Sequence, residues 1–143
     1  LLQGVLFLLL APLAGVPVSL LSLLLVVVVL FCIAFSMTNL GLIIAWRMQS
    51  TQGFHAIMNL LLMPLWLLSG AFFPVTGVRF WLAWVMHCNP LTYGMAALRR
   101  SLYLDHPIVA GAIPAVAPAL GITVLFGAVT LLAAVHTARQ QAL

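Results

Sequence analysis

The sequence predicts an all-α integral membrane protein. About four transmembrane helices are expected, with a region of short, re-entrant helices between the last two. The first observation behind this is composition: hydrophobic residues fill 66% of 143 positions, charged residues 4%, and mean hydropathy is +1.30. Soluble proteins carry roughly 25% charged residues. Five arginines and one aspartate, with no Lys or Glu, cannot clothe a soluble globule, so lipid must replace water as the solvent. The second observation is segment length. No charge occurs from Leu1 to Trp46, from Met48 to Val78 or from Pro107 to Ala138, and a crossing needs about 20 apolar residues. The third is punctuation by Pro, Gly and short polar turns, which divides these stretches into separate helices.

Leu1 to Ala14 reads as the end of a spanning helix, broken by Pro12, Gly15 and Pro17, with a tight connection over Ala14 to Val18. The chain opens on Leu within an apolar run, so further helices are expected upstream, and a secretory signal peptide does not fit. Ser19 to Trp46 forms the next span. Its 28 residues reach roughly 42 Å at about 1.5 Å each, enough to tilt or protrude. Trp46-Arg47 suits an interfacial anchor. Arg47 to Gly53 is the most polar loop, and its brevity makes the flanking helices antiparallel neighbours. Phe54 to Leu68 follows, about 15 residues or roughly 22 Å, short for a full crossing and bent by Pro64.

Ser69 to Leu104 is the irregular part. It is rich in Phe, Trp and Leu, yet Gly70, Pro74, Gly77, Asn89 and Pro90 divide it. Broken backbone at membrane depth survives only where protein or a wet cavity satisfies it, so short helices over Arg79–His87 and Leu91–Leu104 are expected to dip partway in. Ser69-Gly70 suits a helix end, since Gly tolerates left-handed geometry and Ser bonds freed carbonyls. Asn89 suits an N-cap and Pro90 the first helical position. These residues also admit a plainer reading, as shapers of turns. Asp105-His106-Pro107 closes the region, and the last span covers about residues 113–136, before a short polar tail with Arg139. There is no internal repeat, linker or second domain.

Gly53-Phe54, Asn59 and then Pro64-Leu65-Trp66-Leu67-Leu68-Ser69-Gly70-Ala71-Phe72-Phe73-Pro74 resemble the ABC-2 permease family, in which a helix ends in P-x-x-x-x-S-G-x-x-F-P. The resemblance continues through Trp81, Asn89-Pro90-Leu91-Thr92-Tyr93-Gly94 and Ala97-Leu98-Arg99, and is closest to exporters of drugs, polysaccharides and lipo-oligosaccharides. It implies a six-helix subunit that pairs with a second permease copy and with ATP-binding cassette ATPase subunits. On that basis the four spans here are the third to sixth, with the re-entrant pair on the outer face of a bacterial inner membrane. The resemblance thus implies export of an amphipathic substrate, with ATP hydrolysed by a partner subunit and no cofactor bound by this chain.

The residues themselves point away from chemistry. Asp105 is the sole carboxylate side chain, so paired-carboxylate acid–base work is excluded within this sequence. There is no Gly-rich phosphate loop. His55, His87, His106 and His136 lack metal-ligand spacing and read as interfacial or helix-end residues, while Cys32 and Cys88 are too far apart for a metal pair. The arginines form no stripe, so nucleic acid is not an expected partner, and membrane lipid is. Arg79, Arg99 and Arg100 read either as a head-group or substrate contact or as snorkelling residues, and Arg99 or Arg100 is placed to pair with Asp105. Met58 and Met63 read as packing, or as the lining of an adaptable path. Counting arginines gives Arg47 and Arg139 to one face and Arg79, Arg99 and Arg100 to the other. By charge alone the second group belongs inside; the resemblance places it outside. A membrane-embedded enzyme is disfavoured by this inventory, and a non-transporting scaffold remains the alternative to a permease.

Overall fold

The computed structural model describes residues 2–8, 10–15, 19–72, 78–104 and 114–141. These residues form six α-helices: α1 Leu2–Leu8, α2 Leu20–Ala45, α3 Thr51–Trp66, α4 Phe80–Cys88, α5 Pro90–Leu102 and α6 Val116–Gln141. A 3₁₀ turn over Ala11–Ala14 follows α1 and closes on Gly15 in the left-handed region at φ 73°. A π turn, Leu67–Ala71, continues α3. The described residues contain no strand.

Three helices are long and apolar enough to cross a membrane: Leu20–Ala45, α3 with its π turn (Thr51–Ala71, 21 residues) and α6. The third expected span is therefore longer than its sequence reading. Ser50 caps α3 by accepting from the Gly53 N–H at 3.1 Å, which starts the helix at Thr51. At the other end Ser69-Gly70 is absorbed into the π turn, and the coil runs on to Ala71. Ser19 caps α2 in the same way, accepting from Ser22 N at 3.2 Å. Of the first expected span the described helix covers only Leu2–Leu8, too short to cross alone. The last helix starts at Val116 and runs on through Arg139, which the sequence reading gave to a tail.

The core is built where α2, α5 and α6 meet. Val29, Ala96, Ala97 and Ala119 are its buried centre, with Ile33, Tyr93, Leu98 and Leu120 packed around them. Its makeup is small and weakly polar. On α6 the buried positions are Ala119, Thr123, Gly127, Thr130, Ala134 and Thr137, spaced by fours and threes down one face. Between helices in lipid, where apolar burial gives little drive, small residues let backbones approach and gain van der Waals contact. A Cβ on Gly127 would lie 2.8 Å from Ser36 Oγ, and one on Gly94 2.8 Å from Ile33 Cγ1. Three of the hydroxyls serve chiefly their own helices: Ser36 donates to Cys32 O (2.7 Å) and lies 3.4 Å from Thr123 O on α6, Thr123 donates to Ala119 O (2.9 Å) and Thr130 to Phe126 O (2.9 Å).

These contacts also set directions. Ala119 joins Val29 while Gly127 meets Ser36, so α6 runs parallel to α2. Gly94 meets Ile33 while Ala96 and Ala97 join Val29, so α5 runs antiparallel to both. Arg47 and Arg139 thus fall at one end, and Arg99 and Arg100 at the other. Helices α4 and α5 form a hairpin that turns at Asn89-Pro90. Because Ile33 lies halfway along α2, the hairpin reaches at least to the middle of the long helices.

Candidate functional site: the joint between helix α3 and the hairpin

The motif residues converge on the C-terminal end of α3. Pro64 has no N–H to give the preceding turn and crowds the carbonyl four residues back. Five and six residues on, Ser69 and Gly70 sit in the π turn, with Gly70 at φ 83°, ψ 3°, a conformation that only glycine adopts without strain. Ser69 is buried and donates to Trp66 O at 2.6 Å. Trp66 and Phe72 cover this end with rings edge to face, centroids 4.6 Å apart. The irregular stretch leaves backbone carbonyls that no helix ladder serves, and in an apolar layer each needs a donor.

Helix α5 supplies them. Asn89 donates through Nδ2 to Leu65 O at 2.7 Å, while its Oδ1 accepts from Leu91 N at 3.0 Å, so one buried side chain both caps α5 and grips α3. Thr92 lies 3.3 Å from Leu68 O but gives its single proton chiefly to Met86 O at 2.7 Å, inside the hairpin. Arg99 donates through Nη2 to Gly70 O at 3.1 Å. That guanidinium sits in the last turn of α5 and against the end of α3. The partial negative ends of two helices therefore face one cation. Tyr93 donates to His87 O at 3.0 Å and closes the hairpin on itself. Pro90 occupies the first turn of α5. Alongside the joint, Leu61, Pro64, Leu65, Val85 and Cys88 line an open apolar cleft of about 300 Å³ between α3 and α4.

Pro64, Ser69, Gly70, Asn89, Pro90, Tyr93 and Arg99 are therefore brought together. Gly53, Phe54 and Asn59 are not; they belong to the opposite half of α3. There Gly53 makes room for a tight turn, since a Cβ would meet Met48 Cε at 2.7 Å. Phe54 packs edge-on against His55, and Asn59 is exposed. Phe73 and Pro74 lie outside the described residues, as does Asp105, the partner expected for Arg99 or Arg100. Among described residues Arg99 donates to a carbonyl 29 positions back. Sequence reasoning missed Thr92 as a hydrogen-bonding residue of the joint and Gly94 as the point of closest approach to α2. The only available signal was their place inside the Asn89-to-Gly94 motif.

Among the described residues no three His, Cys, Asp or Glu side chains gather to hold a metal ion. What the arrangement does is mechanical: it satisfies carbonyls at the broken end of α3 and fixes that end to α5. No curated protein and no solved structure matches the chain significantly. A family model described as "ABC-2 type transporter" matches residues 1–103, a span that takes in α1 to α5 and the whole joint. With long apolar helices crossing the membrane more than once, the chain belongs to the ABC-2 type transporter family, as a membrane-domain subunit.

Proposed function

We propose that the chain is the permease subunit of an exporter, driven by ATP hydrolysed on a separate ATP-binding cassette subunit. The observation that carries this is the joint itself, in which a broken membrane helix is held by a half-inserted hairpin through Asn89 and Arg99. Such a device satisfies the backbone while leaving α3 without a buried residue, open along its length to lipid, a second permease copy or a passing substrate. The substrate is amphipathic (a drug, a lipid, or a polysaccharide or lipid-linked glycan), because the exposed surface of α3 mixes Leu60, Met63 and Trp66 with Asn59 and His55. The transporter works as a homo- or heterodimer in a bacterial inner membrane, with the hairpin on the outer face.

The test is an affinity pull-down of the full-length protein from mild-detergent membranes, with mass spectrometry of its companions. Recovery of an ATP-binding cassette protein in stoichiometric amount is the expected outcome. Recovery of the permease alone, where a control ABC complex stays intact, would overturn the reading in favour of a scaffold.

A further inference from the structure

The two parts of α3 are held in opposite ways. From Leu65 to Gly70 its backbone is bonded to α5, which itself packs on α2 and α6. From Thr51 to Met63 it has no buried residue, and it approaches α2 where Met58 Cε lies 3.5 Å from the position of a Gly41 Cβ. Between these parts stands Pro64, followed by a π turn with one left-handed glycine. Prolines and π-bulges are the ordinary places where helices kink, because the i to i−4 ladder that resists bending is missing there.

We infer that α3 is a lever anchored at its outer end. Residues 51–63 pivot about the Pro64–Gly70 joint during the transport cycle, while Asn89 and Arg99 act as positioning residues that keep the joint fixed to the three-helix core. This rests on the transporter reading above. The chemistry of the two anchors fits the task. Each grips a backbone carbonyl, so the grip does not depend on the rotamer of any α3 side chain. Arg99 adds a charge that the neutral carbonyl and two helix ends stabilise in place.

Cys88 offers a direct test, since it is exposed and lines the same cleft as Leu61 and Leu65, one turn apart on either side of Pro64. In the complete transporter in nanodiscs, with Cys32→Ser, either Leu61→Cys or Leu65→Cys is tethered to Cys88 by a bifunctional, reducible thiol reagent. ATPase activity is read before tethering, after it and after reduction, each variant serving as its own control. The Leu61→Cys tether is expected to lower activity roughly tenfold, reversibly, whereas the Leu65→Cys tether leaves it within about twofold. Equal inhibition by both tethers, or none by the first, would overturn the lever. Arg99→Gln is expected to lower coupled activity roughly tenfold, as loss of a charged hydrogen bond does, with Arg99→Lys restoring most of it. Failure of the lysine variant to restore activity, with fold and abundance intact, counts against the anchor role. If untethered protein brings down no ATPase at all, the transporter reading fails first and the lever with it.

Discussion

The α2–α5–α6 core and helix α3 are built from nearly the same apolar alphabet, yet they are held in place by different physics. In the core, Ser22, Val26, Val29, Ser36 and Asn39 of α2 are buried, with Val29 against Ala96, Ala97 and Ala119 and Ser36 against Gly127. Contact is close enough that a methyl group at Gly94 or Gly127 would have to displace a neighbour. Helix α3 buries nothing between Thr51 and Trp66, with Leu60 77% exposed, and it is fixed through backbone carbonyls at one end. Hydrophobicity alone therefore does not set what packs inside a membrane protein. Residue size decides which helices close on each other, and a few polar donors decide how the broken one is secured.

That contrast can be broken most forcefully at Gly94. Leucine there must displace Ile33, and we expect a loss of about 3 kcal/mol in reversible unfolding in mixed micelles. Retained stability would mean that the core is not closed at this point. Next comes Asn89→Ala, which removes the α5 cap and the grip on Leu65 together. A loss of about 2 kcal/mol is expected, with the hairpin amides exchanging faster in hydrogen-exchange mass spectrometry. Gly70→Leu forces a side chain into the left-handed region at roughly 1–2 kcal/mol. We expect membrane insertion to be unchanged and transport to fall, so full transport at equal abundance would remove Gly70 from the joint's function. Thr123→Val deletes a hydroxyl that serves its own helix, and about 0.6 kcal/mol is the expected scale. Smallest of all is Leu60→Ala on the open face of α3, within about 0.5 kcal/mol. A large effect at Leu60 in the isolated chain would show that α3 is packed after all.

Much of the joint could be read before its geometry was seen. Asn89-Pro90 announces a helix start because an Asx side chain and a fixed proline φ are local requirements, and Ser69-Gly70 announces a break for the same reason. The partners of these residues were not readable. Arg99 donates to the Gly70 carbonyl, an acceptor nothing in the sequence pointed to, while Asp105, the partner the sequence suggested for Arg99 or Arg100, lies outside the described residues. Backbone carbonyls are identical at every position, so no sequence pattern marks the one that tertiary folding will expose. The buried stripe on α6 was also missed. Reading faces from sequence relies on a contrast between apolar and polar sides, and a helix that meets lipid on one side and protein on the other has little. Its signal is size, visible in Ala119, Thr123, Gly127, Thr130, Ala134 and Thr137 once the packed side is known.

By itself the sequence determined the solvent, the helical class and the places where helices start and break, because each follows from composition or from the dihedral limits of Pro, Gly, Ser and Asn over a few residues. Only the tertiary structure decided that α3 continues through its break to Ala71, that α5 rather than the lipid satisfies it, and which helices close into a core. Those outcomes depend on donors, acceptors and methyl-sized gaps brought together from residues 24 to 87 positions apart, a distance no local rule spans.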